Sequence, residues 1–266
     1  VQQINSAKKN RIFDVISALA AYELWIYLAR QDIRLRYRRS KIGPFWITLS
    51  MAIFCLALGV VYSKLFKMNL AEYLPFLSVG FVVWGFISGL LGEFPNLFVD
   101  NSSYITDTRI NPIIILFRVV ARSVLVFAHN VLIIVGIYLY FKIQPGMVAL
   151  LAIPGLFLVI LNLVAVGISL SIVGARFRDI APTTQSLIQI LFFISPITWM
   201  PHLLSADSWL IKINPIGYYM DLIRSPLLGT APALHSWAVA FVTLAIFSCV
   251  AVWVYQTKSA RIPYWV

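Results

Sequence analysis

Apolar residues in this chain do not alternate, nor do they recur as stripes; they run on, in stretches long enough to change the solvent the fold is built for. Six stand out: Pro44–Tyr62, Leu74–Leu91, Ile113–Phe141, Met147–Val173, Leu187–Met200 and Trp237–Tyr255. A helix needs about 20 residues to cross ~30 Å of hydrocarbon, and most of the six reach or approach that length. The fifth is short unless Ala181–Ser186 extends it. A helix satisfies its backbone N–H and C=O groups internally, as lipid requires. The pattern therefore predicts an all-α, polytopic membrane protein with six transmembrane helices.

Two segments break the pattern. Ile12–Arg39 mixes apolar and charged residues and closes on Ile33-Arg34-Leu35-Arg36-Tyr37-Arg38-Arg39. Arg30, Arg34 and Arg38 share one helical face, while Ile26, Ile33 and Tyr37 lie on another. This predicts an amphipathic helix lying in the interface plane, although the last six residues also fit a period of two. Between the fifth and sixth stretches, Pro201–Ala233 holds short apolar runs broken by Pro201, Pro215, Pro226 and Pro232. Tyr218–Leu228 is too short to span and carries Asp221 and Arg224 at i,i+3 spacing. Short re-entrant outer helices before the last span are expected here, with an ordinary outer loop as the alternative. Residues 1–41 then form a cytoplasmic N-terminal segment and residues 42–266 one membrane domain.

Charge orients this frame. The chain carries +11, but nine of its 21 Lys/Arg precede the first span, from Lys8 to Lys41. Such a cluster reads as a cytoplasmic flank meeting anionic lipid, not as a nucleic-acid face. With the N-terminus inside and alternating spans, sixteen of the 21 fall on the cytoplasmic side, including Arg109, Arg118, Arg122, Arg176, Arg178, Lys258 and Arg261. Lys64, Lys67, Lys142, Lys212 and Arg224 fall outside. Both termini are thus expected in the cytoplasm. Trp46, Tyr62, Trp84, Trp199, Trp237 and Trp253 sit near span ends as interfacial anchors. Cys55 and Cys249 lie inside spans as small hydrophobes, so no disulfide framework is expected. No short apolar segment precedes a small-residue cleavage site, so a removable signal peptide is not expected either.

Missing chemistry narrows the function. No G-x-x-x-x-G-K-[ST] loop is present for ATP. Glu72, Glu93 and Asp179 lie at span edges and no carboxylate lies within a span, which disfavours proton- or sodium-coupled transport. His129, His202 and His235 are isolated, and no metal spacing or nucleophile–base pattern stands out. A permease driven by a separate engine remains.

The run Gln31-Asp32-Ile33-Arg34-Leu35-Arg36-Tyr37-Arg38-Arg39-Ser40-Lys41-Ile42-Gly43-Pro44-Phe45-Trp46 resembles a signature of the membrane subunits of ABC-2 type polysaccharide exporters. Three further places are similar to that family: Asn96–Pro112 leading into Ile113–Phe117, Arg176-Phe177-Arg178-Asp179-Ile180 followed by Ser195-Pro196, and Asn214-Pro215 with Tyr218 and Arg224. They cover essentially the whole chain in order. The resemblance implies a homodimer bound to two copies of a cytoplasmic ABC ATPase, which would bind the ATP and Mg; this chain would hold no cofactor. It also implies export of an undecaprenyl-pyrophosphate-linked polysaccharide, such as O-antigen, capsule or teichoic acid, across the bacterial inner membrane.

Candidate residues follow. Arg30, Arg34, Arg36, Tyr37, Arg38 and Arg39 sit where a lipid-linked pyrophosphate would dock, because the planar Arg fork matches phosphate oxygens. Attraction to anionic lipid explains the same cluster. Arg118 and Arg122 lie about 9 and 15 Å beyond Pro112 at ~1.5 Å per residue. A charge at such depth marks a functional site unless it snorkels. Gln185 and Gln189, with Ser186 and Asn162, either bond across helices or line a wet path. Phe45, Trp46, Phe192, Phe193 and Trp199 offer faces for sugar rings, or simply pack. Asn96, Tyr104 and Arg109 in one cytoplasmic loop, and Arg176, Arg178 and Asp179 in the other, are candidates for ATPase coupling, with an Arg178–Asp179 pair as the plain alternative. Gly85 and Gly89 form a small-x-x-x-small step. The rival readings are an ABC-2 exporter of a small drug or antibiotic, a membrane enzyme acting on undecaprenyl lipids, and a channel.

Overall fold

Long helices carry almost the whole chain in the computed structural model, which describes residues 14–36, 38, 43, 45–108, 110–201 and 213–266. Expectations resting on Tyr37, Arg39, Ser40, Lys41, Pro44, Arg109 and Lys212 lie outside the described residues. The main helices are α1 (Tyr22–Arg36), α2 (Phe45–Leu65), α3 (Leu70–Glu93), α4 (Pro112–Phe141), α5 (Ala152–Arg176), α6 (Ile180–Ile194), α7 (Pro215–Leu227) and α8 (Leu234–Lys258). No strand occurs among the described residues.

Five of these helices are long and apolar enough to cross a membrane: α2, α3, α4, α5 and α8, some of them extended by a turn at one end. The fifth expected span differs. Its helix, α6, has 15 residues, about 22 Å at 1.5 Å per residue, against ~30 Å of hydrocarbon. The apolar run Leu187–Met200 therefore leaves the helix at Ile194, and the reason is Pro196. A proline drives the residue before it out of helical geometry, and Ser195 is extended at φ −80°, ψ 145°. Ser195, Pro196 and Ile197 then turn inward and are buried.

A broken helix in an apolar interior leaves carbonyls that must find donors. Tyr73 Oη donates to Thr198 O at 2.5 Å, and Arg224 Nη1 donates to Pro196 O at 2.5 Å. Asn214 Nδ2 donates to Ser195 Oγ at 2.8 Å, while its Oδ1 accepts from Ile216 N and caps α7. The short helix expected around Tyr218–Leu228 is α7, and it holds the break closed.

The hub is α3. Of its apolar stretch 78% is buried, against 11% for α2 and 17% for α8. It packs on α2, α4, α6 and α7, while α5 packs on α7, α8 and the turn Phe94–Asn96. Trp84, expected at an interface, is instead buried inside α3 against Phe192, because an indole in the central helix has only protein around it. Gly85 faces the Met51 side chain, but nothing lies within 4 Å of where a Cβ on Gly89 would stand; only half of that step makes a close contact.

Two glycines of α5 set its approach. A Cβ on Gly167 would stand 2.7 Å from the Phe94 ring, and one on Gly174 would overlap the Pro95 carbonyl. Backbone cannot yield there as a flexible side chain can. Gly174→Ala should destabilise the protein by about 2 kcal/mol through overpacking, whereas Gly136→Ala, with open space around it, should leave the melting temperature unchanged. Thermal unfolding in detergent measures both.

Candidate functional site

The start of α4 gathers the charges. Asn111 Oδ1 accepts from Ile113 N at 3.0 Å and Pro112 occupies the first helical position, a strong local start signal. Asn111 Nδ2 also donates to Asp14 O at 2.8 Å, which ties down the helical residues 14–20. Two turns on, Arg118 forks onto Asp32 of α1, with Nε to Oδ2 at 2.8 Å and Nη2 to Oδ1 at 2.5 Å. One turn deeper, Arg122 reaches Asp32 Oδ2 at 3.4 Å and pairs with Glu93 at the end of α3. The Tyr104 ring stacks under the Arg118 guanidinium, 5.3 Å from ring centroid to Cζ.

Every ion pair among the described residues belongs to this node. The side chains of Asp32, Arg118 and Arg122 are only 14–15% exposed, so water contributes little and the partners must. A bidentate Arg–carboxylate pair is the strong form of such a bond. Around it, Trp25 packs against Phe117 at 5.9 Å, and Ala29 is buried. The face of α1 turned to α4 is therefore Trp25, Ala29 and Asp32, at i, i+4 and i+7. Arg30, Arg34, Arg36 and Arg38 are exposed and have no ion-pair partner among the described residues.

The other candidates fall into separate places. Phe192 meets Phe81, Trp84 and Phe193 at 5.3–5.9 Å between centroids, and Trp199 Nε1 donates to Phe193 O at 3.1 Å. Gln185 Nε2 donates weakly to Gly92 O, 3.5 Å away and next to Glu93; Gln189 and Phe193 are exposed. Gln189 and Phe193 thus lie on the open side of α6, whereas Gln185 and Phe192 turn toward α3. Phe45 and Trp46 are exposed on α2, but Phe45 faces His129, 6.3 Å away. It lines an apolar groove of about 790 Å³ between α2, α3 and α4, with Thr48, Leu74, Ile133 and Tyr140.

Between α3 and α4 the chain forms the short helices Leu97–Asp100 and Ser102–Thr106. Asn96 is exposed and Tyr104 half-buried. In the other loop Arg176, Arg178 and Asp179 are exposed, and Arg178 and Asp179 do not pair with each other. The coupling candidates therefore divide: Tyr104 touches the charged node and the loop at 176–179 does not.

Sequence reasoning finds Arg118 and Arg122 but misses their partners. Asp32, the one acid in an Arg-rich run, and Glu93, the one acid closing the central apolar span, are the available signals. It also misses what Arg224 does. That side chain is 5% exposed, with its Cζ 4.0 Å from the Phe76 ring centroid. Asp221, three residues earlier, points elsewhere and accepts from Ser236 Oγ at 2.5 Å and Ala233 N at 3.2 Å, at the start of α8. Asn162 belongs to a buried cluster: its Nδ2 donates to Leu158 O and Ala240 O, and its Oδ1 accepts from Tyr219 Oη at 2.9 Å. That cluster binds α5, α7 and α8 together.

Residues 23–228 match the profile of the family described as ABC-2 type transporter. The chain is 21% identical over 198 residues to the O-antigen export system permease protein RfbA of Klebsiella pneumoniae, covering 74% of this chain and 76% of that protein. It is 22% identical over 197 residues to the protein of the same description from Myxococcus xanthus, covering 73% and 75%.

Removing Asp32 alone leaves Arg118 without a carboxylate and Arg122 with Glu93 only, and leaving a buried charge unpaired costs more than the pair contributes. Asp32→Asn should lower stability by about 2 kcal/mol, below the 3–5 kcal/mol of a fully buried pair because this node keeps some water. Limited proteolysis should show cleavage within residues 22–36 before any loss of the membrane helices. Unchanged protection of that segment would mean that α1 is held by packing alone.

Proposed function

The chain belongs to the ABC-2 type transporter family, and we propose that within it the chain serves as the permease subunit of an exporter of lipid-linked polysaccharide. The cargo in this reading is an undecaprenyl-pyrophosphate-linked glycan such as O-antigen, carried across the bacterial inner membrane with both termini of the chain in the cytoplasm. The work is done by a separate ABC ATPase, two copies of which bind ATP and Mg beneath a homodimer of this subunit. The relatives bearing an O-antigen export description support the cargo class.

The observation that carries the proposal is the orientation of α1. Its inner face is fixed to α4 through Asp32, so Arg30 and Arg34, two residues to either side, are presented outward together, while Arg36, one turn beyond Asp32, and Arg38 are exposed at the end of the helix. A pyrophosphate needs several donors at once, and guanidinium forks supply them. Tyr37 lies in the same run. In this reading Arg118 and Arg122 position the docking helix as well as lending charge. From there the glycan follows the exposed sides of α2 and α6, where Trp46, Gln185, Gln189, Phe193 and Trp199 offer polar and aromatic surface to sugars; Phe45 borders the apolar groove, which suits a lipid tail. The same two exposed sides suit the homodimer contact. Closure of the ATPases reaches the spans through residues 96–104 and the loop at 176–179, and Tyr104 passes it to Arg118 directly.

The test is ATPase activity of the subunit co-purified with its ATPase in lipid, with and without the undecaprenyl-pyrophosphate glycan. Glycan should stimulate hydrolysis, and Arg36→Ala should raise the concentration for half-stimulation about tenfold, the loss of one charge-assisted hydrogen bond. Stimulation by a small amphiphile but not by glycan would favour a drug exporter of the same fold. Failure to co-purify with any ATPase would overturn the reading.

A further inference from the structure

The ends of α5 and α8 lie side by side and frame a small apolar hollow of about 100 Å³, away from the Asp32 node. Ile172, Val254, Trp253 and Trp265 wall it, and Arg176 and Lys258 stand at its rim. Arg176 is bracketed by two rings, its Cζ 4.9 Å from the Phe177 centroid and 5.6 Å from that of Trp265. Stacking uses the faces of a guanidinium and leaves its N–H edge pointing outward. Neither Arg176 nor Lys258 has a carboxylate partner among the described residues. A cation in the last turn of each helix suits the helix dipole, but the dipole explains neither the aromatic bracket nor the hollow beneath it.

We propose that this hollow is a binding site for one anionic phospholipid. In a membrane protein lipid is the molecule present at a span end, and basic pockets between spans take anionic headgroups. Glycerol and the upper acyl chain fill the hollow, and the phosphodiester oxygens accept from the Arg176 edge with Lys258 alongside. Trp265 comes from the turn Ile262–Trp265, which packs on α5 and on Ser102–Thr106. A bound lipid therefore braces the carboxyl-terminal turn against the segment that carries Tyr104. The site shares Arg176 with the loop given above to ATPase coupling, but it rests on its own observations and does not depend on the glycan reading.

Native mass spectrometry of the full chain, titrated with phosphatidylglycerol in detergent, tests this. The wild-type chain should show one tightly retained phosphatidylglycerol, which phosphatidylcholine does not replace. Arg176→Gln should weaken retention about fivefold, as should Lys258→Gln, the factor expected for one basic residue at a lipid surface. Trp265→Ala, which keeps both charges, should weaken it as well; Arg261→Gln, on the neighbouring turn but outside the hollow, should not. Equal losses in Arg261→Gln and Arg176→Gln, or an unaffected Trp265→Ala, would reduce the effect to diffuse charge and overturn the site. Competition by inorganic phosphate as strong as by the lipid would overturn the lipid assignment.

Discussion

Arg118 and Arg122 enter an apolar helix at a depth where water cannot fully serve them, and much of that end of the molecule is arranged around answering that charge. A guanidinium there needs an acid within reach. One comes from α1 as Asp32, the other from the end of α3 as Glu93. That demand fixes α1 against α4 and decides which of its faces looks outward. It also brings the Tyr104 segment under Arg118. The amphipathic helix, the central helix and the loop after it meet at one pair of cations.

A second constraint works about 20 Å away along α3, from Glu93 back to Gly80. Here the difficulty is a helix broken by Pro196 in an apolar interior. Its exposed carbonyls are met by Tyr73 and Arg224, and Asn214 holds the Ser195 hydroxyl beside them. Arg224 fits only because Phe76 offers it a ring face and Gly80 leaves room: a Cβ there would stand 3.1 Å from Ile197 O and 3.5 Å from Arg224 Nη1. Polar groups at both places are satisfied by neighbouring helices, not by lipid, and both act on α3. That shared helix joins the two places.

Helix type and most helix positions are legible in the sequence, because lipid imposes continuous apolar runs and because Asn111-Pro112 and Asn214-Pro215 announce helix starts by cap chemistry. The fifth span is misread at its end: Leu187–Met200 is one apolar run, and only the local effect of Pro196 on Ser195 stops the helix. Hydropathy also puts Trp84 at an interface, since composition cannot distinguish a central helix from a peripheral one. At the candidate site the cations are visible and their acids are not. Spacing shows which residues share a helix face, but the pairing of Asp32 with a helix 86 residues later depends on how helices pack. Arg224 reads as an outer-loop residue for the same reason.

If the node is the joint between substrate docking and ATPase motion, its charge must matter more than the identity of either partner. The direct measurement is glycan export in cells carrying Asp32→Arg, Arg118→Asp, or both together. The account predicts that each single reversal abolishes surface glycan, by placing like charges together, and that the double reversal restores a substantial part of it. Normal export by either single variant, or a double variant no better than the singles, would contradict it.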